Sequence, residues 1–410
     1  MRQQRLGAPF AVFLTAETVS AAGSMVTMVA LPLVAVQQLH ASTLTVGLLE
    51  AVQWIPSVFL GLLLGALVDR NQRRCRSMMV AADIGRACTL GTIPLAGAFG
   101  MLTLPFLLVA ATLTGFFTAF FQAAYAPYLR QLLPSDLFSA GNGYLQSGRS
   151  AARIAGPSLA GALVAIVGAS TTITVDALSF ILCSVALLTI AAPYAPPDAG
   201  ARRSIRADIA EGLSTLRTNS LLAAITTGAA TANLFITAIG ALEIVFLVRS
   251  AHLAPTAVGI VLTVGGIGGL AGALLSRGLN DRYGLGRIAI LAFLATAPAA
   301  LLLPITQTGA AATLFAIGVC AISFGISLGS VALTTLRLQH TPQRLQGRVS
   351  AVSQVLNAAT IPLGALLGGV SGQYLGTRVA LAVLAIGYIA FSIVFSRSPL
   401  RTADRLSVGS

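Results

Sequence analysis

Lysine is absent from this chain of 410 residues, and charged residues of all kinds make up only 9% of it. Soluble domains carry about 25% charged residues, so this content is too low to cover a surface that faces water. A P-loop needs its lysine on the nucleotide phosphates, and a Schiff-base enzyme needs one as nucleophile. The missing lysine therefore excludes both classes of protein.

Cysteine and histidine are scarce as well. The three histidines fall at loop positions, and the four cysteines are widely spaced: Cys75, Cys88, Cys183 and Cys320. This spacing matches neither a disulfide framework nor a metal motif. Nor does any Ser/His/Asp arrangement stand out, and no loop is long enough to form a domain. We therefore expect no metal, no cofactor and no enzymatic activity.

Apolar residues, by contrast, make up 56% of the chain, and its mean hydropathy is +0.87. They form blocks of about 20 residues, each long enough to cross roughly 30 Å of hydrocarbon as a helix. The first block is too long for a signal-peptide core. We predict twelve membrane-spanning helices, at 10–36, 46–68, 77–100, 104–126, 143–167, 170–192, 220–248, 256–279, 287–306, 310–336, 349–371 and 377–396.

The net charge of +13 comes from 25 arginines against 12 acidic residues. Twenty of the arginines lie in the two tails and the even-numbered loops, whereas only Arg249 and Arg378 lie in odd-numbered loops. Because basic residues favour cytoplasmic loops, we expect a multi-pass protein of the cytoplasmic (inner) membrane with both termini in the cytoplasm. Arginines confined to short loops argue against a nucleic-acid partner and for contact with membrane lipids.

The two halves of the chain repeat each other. An offset near 210 residues relates three landmarks: 42–47 with 254–259, Asp69-Arg70 with Asp281-Arg282, and Pro134 plus GPSLAG (156–161) with Pro342 plus GALLGG (364–369). Such a constant offset indicates duplication. We predict a six-helix bundle at 1–192, a cytoplasmic linker at 193–219 with a short surface helix near 207–213, and a second six-helix bundle at 220–410.

Charge is concentrated in GALVDRNQRRCR, residues 65–76, between the second and third spans. Gly61 and Gly65 have the spacing of a GxxxG motif, so we expect a neighbouring helix to approach closely there. The arginines also suit a simple topology anchor at the anionic inner leaflet.

The spacing Gly65-x-x-x-Asp69-Arg70-x-x-Arg73-Arg74 resembles the signature of the major facilitator superfamily between helices 2 and 3, with Gln72 in place of the usual glycine. The resemblance covers the whole chain. It implies an all-α membrane fold of twelve transmembrane helices in two pseudo-symmetric six-helix bundles. It also implies a cytoplasmic latch at Gly65, Asp69, Arg70 and Arg73. The latch is weaker at Asp281 and Arg282, where Arg277 replaces the leading glycine.

The segment GPSLAG resembles the Gly-Pro-x-x-Gly-Gly element of exporters in that superfamily, with Ala160 in place of one glycine. Its landmarks are Gly156, Pro157 and Gly161, and a simple packing kink is the alternative interpretation. Segments 16–35, 83–87 and 176–184 are similar to the macrolide-efflux and enterobactin-export branch. The resemblance implies secondary active efflux of amphipathic compounds by proton antiport. An uptake, facilitative or lipid-moving carrier of the same fold is the alternative.

Ionisable residues inside the apolar spans are functional candidates, because an unpaired charge there costs several kcal/mol. Glu17 lies roughly 12 Å into the first span, and we predict that it carries the coupling proton. The alternative is a permanent ion pair with an arginine. Arg149 and Arg153, one turn apart in the fifth span, are the possible partners, and Arg153 is the expected one because it reaches a similar depth. Glu243 is a second candidate for proton coupling. Asp83 and Arg86 are expected to pair with each other or with the 73–76 loop.

In the superfamily, helices 1, 4, 7 and 10 wall the substrate cavity. A mixed aromatic and polar wall suits a bulky amphipathic small molecule. We name six candidate cavity residues: Trp54, Phe117, Phe121, Asn233, Phe324 and Asn357. Proton coupling in many members also uses an arginine in helix 4 before a glycine. Here Gly115 is present without that arginine, so coupling depends on Glu17.

We expect a monomer.

Overall fold

The computed structural model describes residues 7–134, 136–190, 205–307 and 312–401, and these residues form helices and no strands. The helices are α1 (Ala8–Leu33), α2 (Thr43–Arg70), α3 (Cys75–Ala98), α4 (Leu104–Leu132), α5 (Phe138–Val167), α6 (Ala169–Thr189), α7 (Ile205–Thr218), α8 (Ser220–Arg249), α9 (Pro255–Tyr283), α10 (Leu285–Thr296), α11 (Leu302–Ile305), α12 (Ala312–Gln339), α13 (Gln346–Leu375) and α14 (Thr377–Phe395). A π-helical turn at Val34–Gln38 extends α1, and a 3-10 turn at Ala297–Leu301 joins α10 to α11.

Each of the twelve predicted spans is a helical segment, and the all-α prediction is confirmed. Eleven segments of the described chain are long and apolar enough to cross a membrane. The exception is α3, because Asp83 and Arg86 in its middle lower its hydropathy. The predicted linker helix is present as α7, while residues 193–204 of the linker lie outside the described part of the chain.

The helices form two compact units. Unit 1 comprises the described residues of 1–42, 52–198 and 254–263, and unit 2 those of 43–51, 199–253 and 264–410. Within unit 1, α1 packs against α5 and α6, and α3 packs against α4 and α6. Within unit 2, α8 packs against α13 and α14, and α10 packs against α12. Helices α2 and α9 each contribute residues to both units.

The predicted duplication is visible in the backbone of the loops. His40 and His252 precede α2 and α9, and they share a positive φ, 49° and 52°, that is uncommon for residues other than glycine. Gly168 and Gly376 form one-residue connections, α5 to α6 and α13 to α14, with φ of 84° and 79°. Glycine adopts this conformation at little cost. The same unusual geometry therefore recurs at aligned positions of both halves.

Aligned glycines also make aligned helix contacts. At Gly47 of α2, a Cβ atom would lie 2.5 Å from the carbonyl oxygen of Ala365 and 2.8 Å from the Cα of Gly369 in α13. At Gly161 of α5, a Cβ would lie 2.5 Å from the carbonyl oxygen of Pro255 and 3.1 Å from the Cα of Gly259 in α9. Backbones approach this closely only where both helices carry small residues.

The close approach predicted at Gly61 and Gly65 is wrong. A Cβ at either position would meet no described atom within 4 Å. Phe59, Leu63 and Leu67 on the same stretch of α2 are all exposed. These three side chains therefore form an exposed apolar face, and α2 makes close helix contacts elsewhere, at Gly47 with α13 and at Gln53 with Gly115 of α4.

The linker helix α7 is attached to unit 2. Glu211 forms an ion pair with Arg348 at the start of α13, and Gly212 lies against the backbone of Arg348. Leu216, one turn further on, is buried. Both charged side chains are part-exposed, so water screens their attraction.

We expect Glu211→Gln to lower the free energy of unfolding by only about 0.5–1 kcal/mol, because the pair is part-exposed. Equilibrium unfolding in SDS measures this change. Ser214→Ala, an exposed residue on the same helix, is the control and should have no effect. A loss of several kcal/mol for Glu211→Gln would contradict the expectation.

Candidate functional site

Three glycines on α5 set the register between α1 and α5. Gly141 lies against the ring of Phe10, Gly148 against the hydroxyl of Thr18, and Gly156 against the side chain of Met25. The spacing of seven and eight residues keeps all three glycines on one face of α5. The two helices therefore run side by side with Thr18 opposite Gly148, which places their neighbours Glu17 and Arg149 together.

Glu17 is buried inside unit 1 and forms an ion pair with Arg149. The distance from Arg149 Nη2 to Glu17 Oε2 is 3.4 Å, and the side chains are 34% and 9% exposed. Arg153, the partner expected from the sequence, is exposed and lies one turn further along α5. Depth along the predicted span favoured Arg153 because that span began at residue 143, whereas α5 begins at Phe138. The glycine contacts with α1 instead place Arg149 beside Glu17.

A second ion pair lies on α3, between Asp83 and Arg86. Asp83 is fully buried and Arg86 is 6% exposed. The guanidinium of Arg86 lies between two aromatic rings, 4.4 Å from the centroid of Phe121 and 4.0 Å from that of Phe180. The prediction that these two residues pair is confirmed. The negative faces of the two aromatic rings stabilise this buried cation.

Two aromatic residues of α4 connect the ion pairs. Tyr125 lies under the guanidinium of Arg149, 4.7 Å from ring centroid to Cζ, and Phe121 lies under that of Arg86. The two rings are one helical turn apart, with centroids separated by 6.2 Å. Glu17, Asp83 and Arg86, which are buried, and the one-third exposed Arg149 thus form one charged cluster in unit 1, arranged along the aromatic face of α4.

A third carboxylate, Asp176 of α6, is separately stabilised. Its Oδ1 accepts hydrogen bonds from Ser179 at 3.2 Å and from Ser24 at 3.4 Å. Gly23 of α1 leaves room for this arrangement, since a Cβ there would lie 2.8 Å from the same oxygen. Asp176 therefore has a structural environment of hydroxyl groups.

The residues predicted to form the latch lie at the ends of α2 and α9. Asp69 and Arg70 belong to the last turn of α2, but their side chains lie outside the described residues, and Arg73 is exposed. In the second half, Asp281 is 4.0 Å from Arg277, and both side chains are largely exposed. Arg282 lies over the ring of Tyr283. The latch function of these residues remains a prediction.

The predicted kink element is buried in unit 1. Gly156 lies against Met25 of α1, while the backbone of Pro157 and Gly161 lies against α9. Ser158 and Thr263 form a hydrogen bond of 2.7 Å between α5 and α9. This element therefore brings α5 close to two helices at once, α1 on one side and α9 on the other.

The residues predicted to line a cavity occupy different environments. Phe121 is buried in the core under Arg86, and the ring of Phe117 fills the space over Gly85 of α3. Trp54 is exposed and Phe324 is part-buried. Asn233 of α8 and Asn357 of α13 lie together, because the Asn233 amide donates to the Asn357 carbonyl oxygen at 3.0 Å. Substrate contact by these six residues stays a prediction.

Glu243 of α8 is part-buried in unit 2. Glu50 of α2 lies near enough for the two carboxylates to interact, and their neighbours Ala51 and Ala241 belong to one packed cluster. The sequence did not indicate that these two glutamates meet. In the part of the chain that the structure describes, no group of three or more His, Cys, Asp or Glu side chains could hold a metal ion.

The sequence offered Arg149 as a possible partner of Glu17 but favoured Arg153, and it did not indicate that Tyr125 stacks on Arg149. One signal was present, since the glycines at 141, 148 and 156 mark the face of α5 that meets α1. Arg149 directly follows Gly148 and is therefore closer to that face than Arg153 is. No comparable signal identified the stacking of Arg86 on Phe180, which lies on α6 and is remote in the sequence.

The chain matches the model of the Major Facilitator Superfamily over residues 13–360 and again over 234–407. An uncharacterized MFS-type transporter, YfiS of Bacillus subtilis (strain 168), is 28% identical over 401 residues, covering 93% of this chain and 90% of its own. The multidrug efflux pump Tap of Mycolicibacterium fortuitum is also 28% identical, over 423 residues, covering 97% and 98% of the two chains.

Among solved structures, the fold is similar to that of a bacterial homologue of the human lysosomal transporter Spinster. The TM-score is 0.75 over 98% of this chain and 99% of that one, at 14% sequence identity. At this identity the similarity concerns the fold alone.

Proposed function

The chain belongs to the Major Facilitator Superfamily of multi-pass membrane transporters, and on this premise we propose that it exports amphipathic compounds by proton antiport. The proposed substrates are drugs, secondary metabolites or siderophores, moved by alternating access. The proposed location is the cytoplasmic membrane, with both termini in the cytoplasm, because the arginines favour the tails and even-numbered loops. No cofactor is required, and a monomer is sufficient.

One observation carries the coupling mechanism: Glu17 is a buried carboxylate in an apolar helix, and its partner Arg149 is one-third exposed. A buried charge is stable only while it is paired. When Glu17 takes up a proton, it no longer needs Arg149, and water can solvate the released guanidinium. When Glu17 loses the proton, the ion pair forms again. The pair therefore has two stable arrangements that differ by one proton.

Export is favoured over uptake by two observations. The relative Tap is named a multidrug efflux pump and is similar along 97% of this chain. The GPSLAG segment, which resembles the exporter element, lies in α5 on the same helix as Arg149 and in contact with α1. A change in the α1–α5 contact at the ion pair can therefore be transmitted along α5 to this segment.

The test uses proteoliposomes that contain a pH-sensitive dye. Macrolides, quinolones, cationic dyes and catecholate siderophores are added in turn to wild type, Glu17→Gln and Asp176→Asn. We expect at least one compound to drive proton movement in wild type. Glu17→Gln removes the ionisable group and should abolish this movement. Asp176→Asn, a buried carboxylate that is satisfied by hydroxyl groups, is the matched control and should retain it.

If compounds move without protons, or if Glu17→Gln behaves as wild type, Glu17 is a structural charge and the coupling mechanism is wrong. Transport that is indifferent to Glu17→Gln would instead favour a facilitative or uptake carrier. Membership of the transporter family does not depend on either result.

A further inference from the structure

Several buried polar atoms near the charged cluster have no hydrogen-bond partner among the described residues. Five of them belong to α3, α4 and α6 of unit 1: Asp83 Oδ2, Arg86 Nε, Tyr125 Oη, Tyr128 Oη and Ser184 Oγ. A buried polar group without a hydrogen-bond partner costs free energy, and in native proteins internal water molecules commonly form the missing hydrogen bonds. Five in one part of a single unit therefore indicate a specific polar site.

The side chains that carry these atoms lie in or next to one packed cluster of unit 1, and Tyr125 also stacks on Arg149, the partner of Glu17. Tyr125, Tyr128 and Cys183 belong to one packed cluster, which also contains Ala82, the neighbour of Asp83. The ring of Phe13 contacts both Tyr125 and Tyr128, with centroids 5.9 and 5.5 Å apart. The polar atoms are therefore enclosed in the core of unit 1, on the side of α4 that carries the charged cluster.

These groups also lie at successive depths. We measure depth from the arginine-rich end of unit 1, where α1 and α3 begin and α4 and α6 end. At 1.5 Å per residue, the depth is about 14 Å for Glu17, 12 Å for Asp83, 10 Å for Tyr125, 8 Å for Ser184 and 6 Å for Tyr128. Successive groups therefore differ by about 2 Å in depth, from the proton carrier to the helix ends.

We propose that internal water molecules bind at this series of groups, and that together they conduct the coupling proton between Glu17 and the arginine-rich end of unit 1. Asp83 is the intermediate proton acceptor. A proton leaves the Glu17 carboxyl group through water to Asp83 Oδ2 and then passes along water and the hydroxyls of Tyr125, Ser184 and Tyr128. Each hydroxyl accepts one proton and donates another, so no group is permanently changed.

The surrounding charges suit this role. Arg86 on α3 and Arg149 on α5 each face one carboxylate of the path, so the path stays neutral when both carboxylates are ionised. From α6, the thiol of Cys183 lies beside Asp83, and Asp176 is occupied by its two serines. At the end of the path, Arg76 of α3 donates to the carbonyl oxygen of Ile190 at 2.7 Å.

The inference rests on the proposed proton antiport, and it is tested by Tyr128→Phe and Asp83→Asn in the same proteoliposomes. We expect Tyr128→Phe to slow substrate-driven proton movement about 10-fold and Asp83→Asn about 100-fold, as for loss of a proton-transfer group. Exchange of labelled substrate for unlabelled substrate needs no net proton movement and should be unchanged. Tyr388→Phe removes a buried hydroxyl from unit 2 and is the matched control, with Asp176→Asn for the carboxylate.

Wild-type proton movement in Tyr128→Phe would show that the path is wrong. If Glu17→Gln still abolished proton movement, the proposed function would stand without the path. If Glu17→Gln also had no effect, both would fail. Should Asp83→Asn not fold because Arg86 loses its partner, Asp83→Asn combined with Arg86→Gln removes both charges and has the same expected result.

Discussion

Replacing Arg86 by leucine is expected to lower the free energy of unfolding by about 3–5 kcal/mol, because it leaves a buried charge without a partner. Asp83 is fully buried, and Arg86 provides its ion pair. The substitution also removes the cation from between the rings of Phe121 and Phe180. Arg86 is the one residue of this charged cluster that has both an ion-pair partner and two aromatic rings against its guanidinium.

Equilibrium unfolding in SDS, followed by circular dichroism, measures this loss. Arg277→Leu is the matched control, because its pair with Asp281 is exposed at 4.0 Å and should contribute nothing measurable. In the double variant with Asp83→Leu, no charge is left unpaired, and most of the lost stability should return. A double variant less stable than Arg86→Leu alone would mean that Asp83 has another essential partner.

Replacing Gly47 by leucine is expected to produce the second large effect. A Cβ at this position would lie 2.5 Å from the Ala365 carbonyl oxygen, so α2 and α13 must separate. Overpacking of this kind costs about 1–3 kcal/mol or more. Gly259→Leu should have the same effect on α9 and α5, because Gly259 is aligned with Gly47 in the repeat and also faces a glycine.

The matched control is Gly61→Leu, which adds the same side chain to the same helix where no described atom lies within 4 Å. SDS unfolding and substrate transport are measured for all three variants. We expect Gly47→Leu and Gly259→Leu to be impaired in both measurements and Gly61→Leu in neither. Equal loss in Gly61→Leu would show that leucine disturbs this helix wherever it is placed, and that the glycine contact is not the cause.

The positions of the helices could be predicted closely, because length and hydropathy are local properties. The bounds of α9 and α14 differ from the predicted spans by only a few residues. The largest differences lie at the polar ends of α4 and α5, where the helix continues beyond the apolar block. The difference at α5 affected the prediction, because depth counted from residue 143 favoured Arg153 over Arg149, whereas α5 begins at Phe138.

Local pairing could also be predicted. Asp83 and Arg86 are three residues apart on one helix, so their side chains lie on the same face whatever the tertiary structure. The glycines at 61 and 65 show the opposite case. A GxxxG spacing indicates that close approach is sterically allowed, but a partner helix must be present, and α2 is exposed there.

The sequence by itself determined the all-helical membrane fold, the duplication and the arginine distribution, because hydrophobic length and charge act on each segment independently. The tertiary structure alone decided that Glu17 pairs with Arg149. It also decided that Arg149 stacks on Tyr125 and that Arg86 stacks on Phe121. Arg149 and Arg153 are one helical turn apart on α5. Which of them meets Glu17 depends on the register between α1 and α5, and that register is set by the packing of α1 side chains against Gly141, Gly148 and Gly156. Such a choice depends on packing between helices that are more than 100 residues apart in the chain.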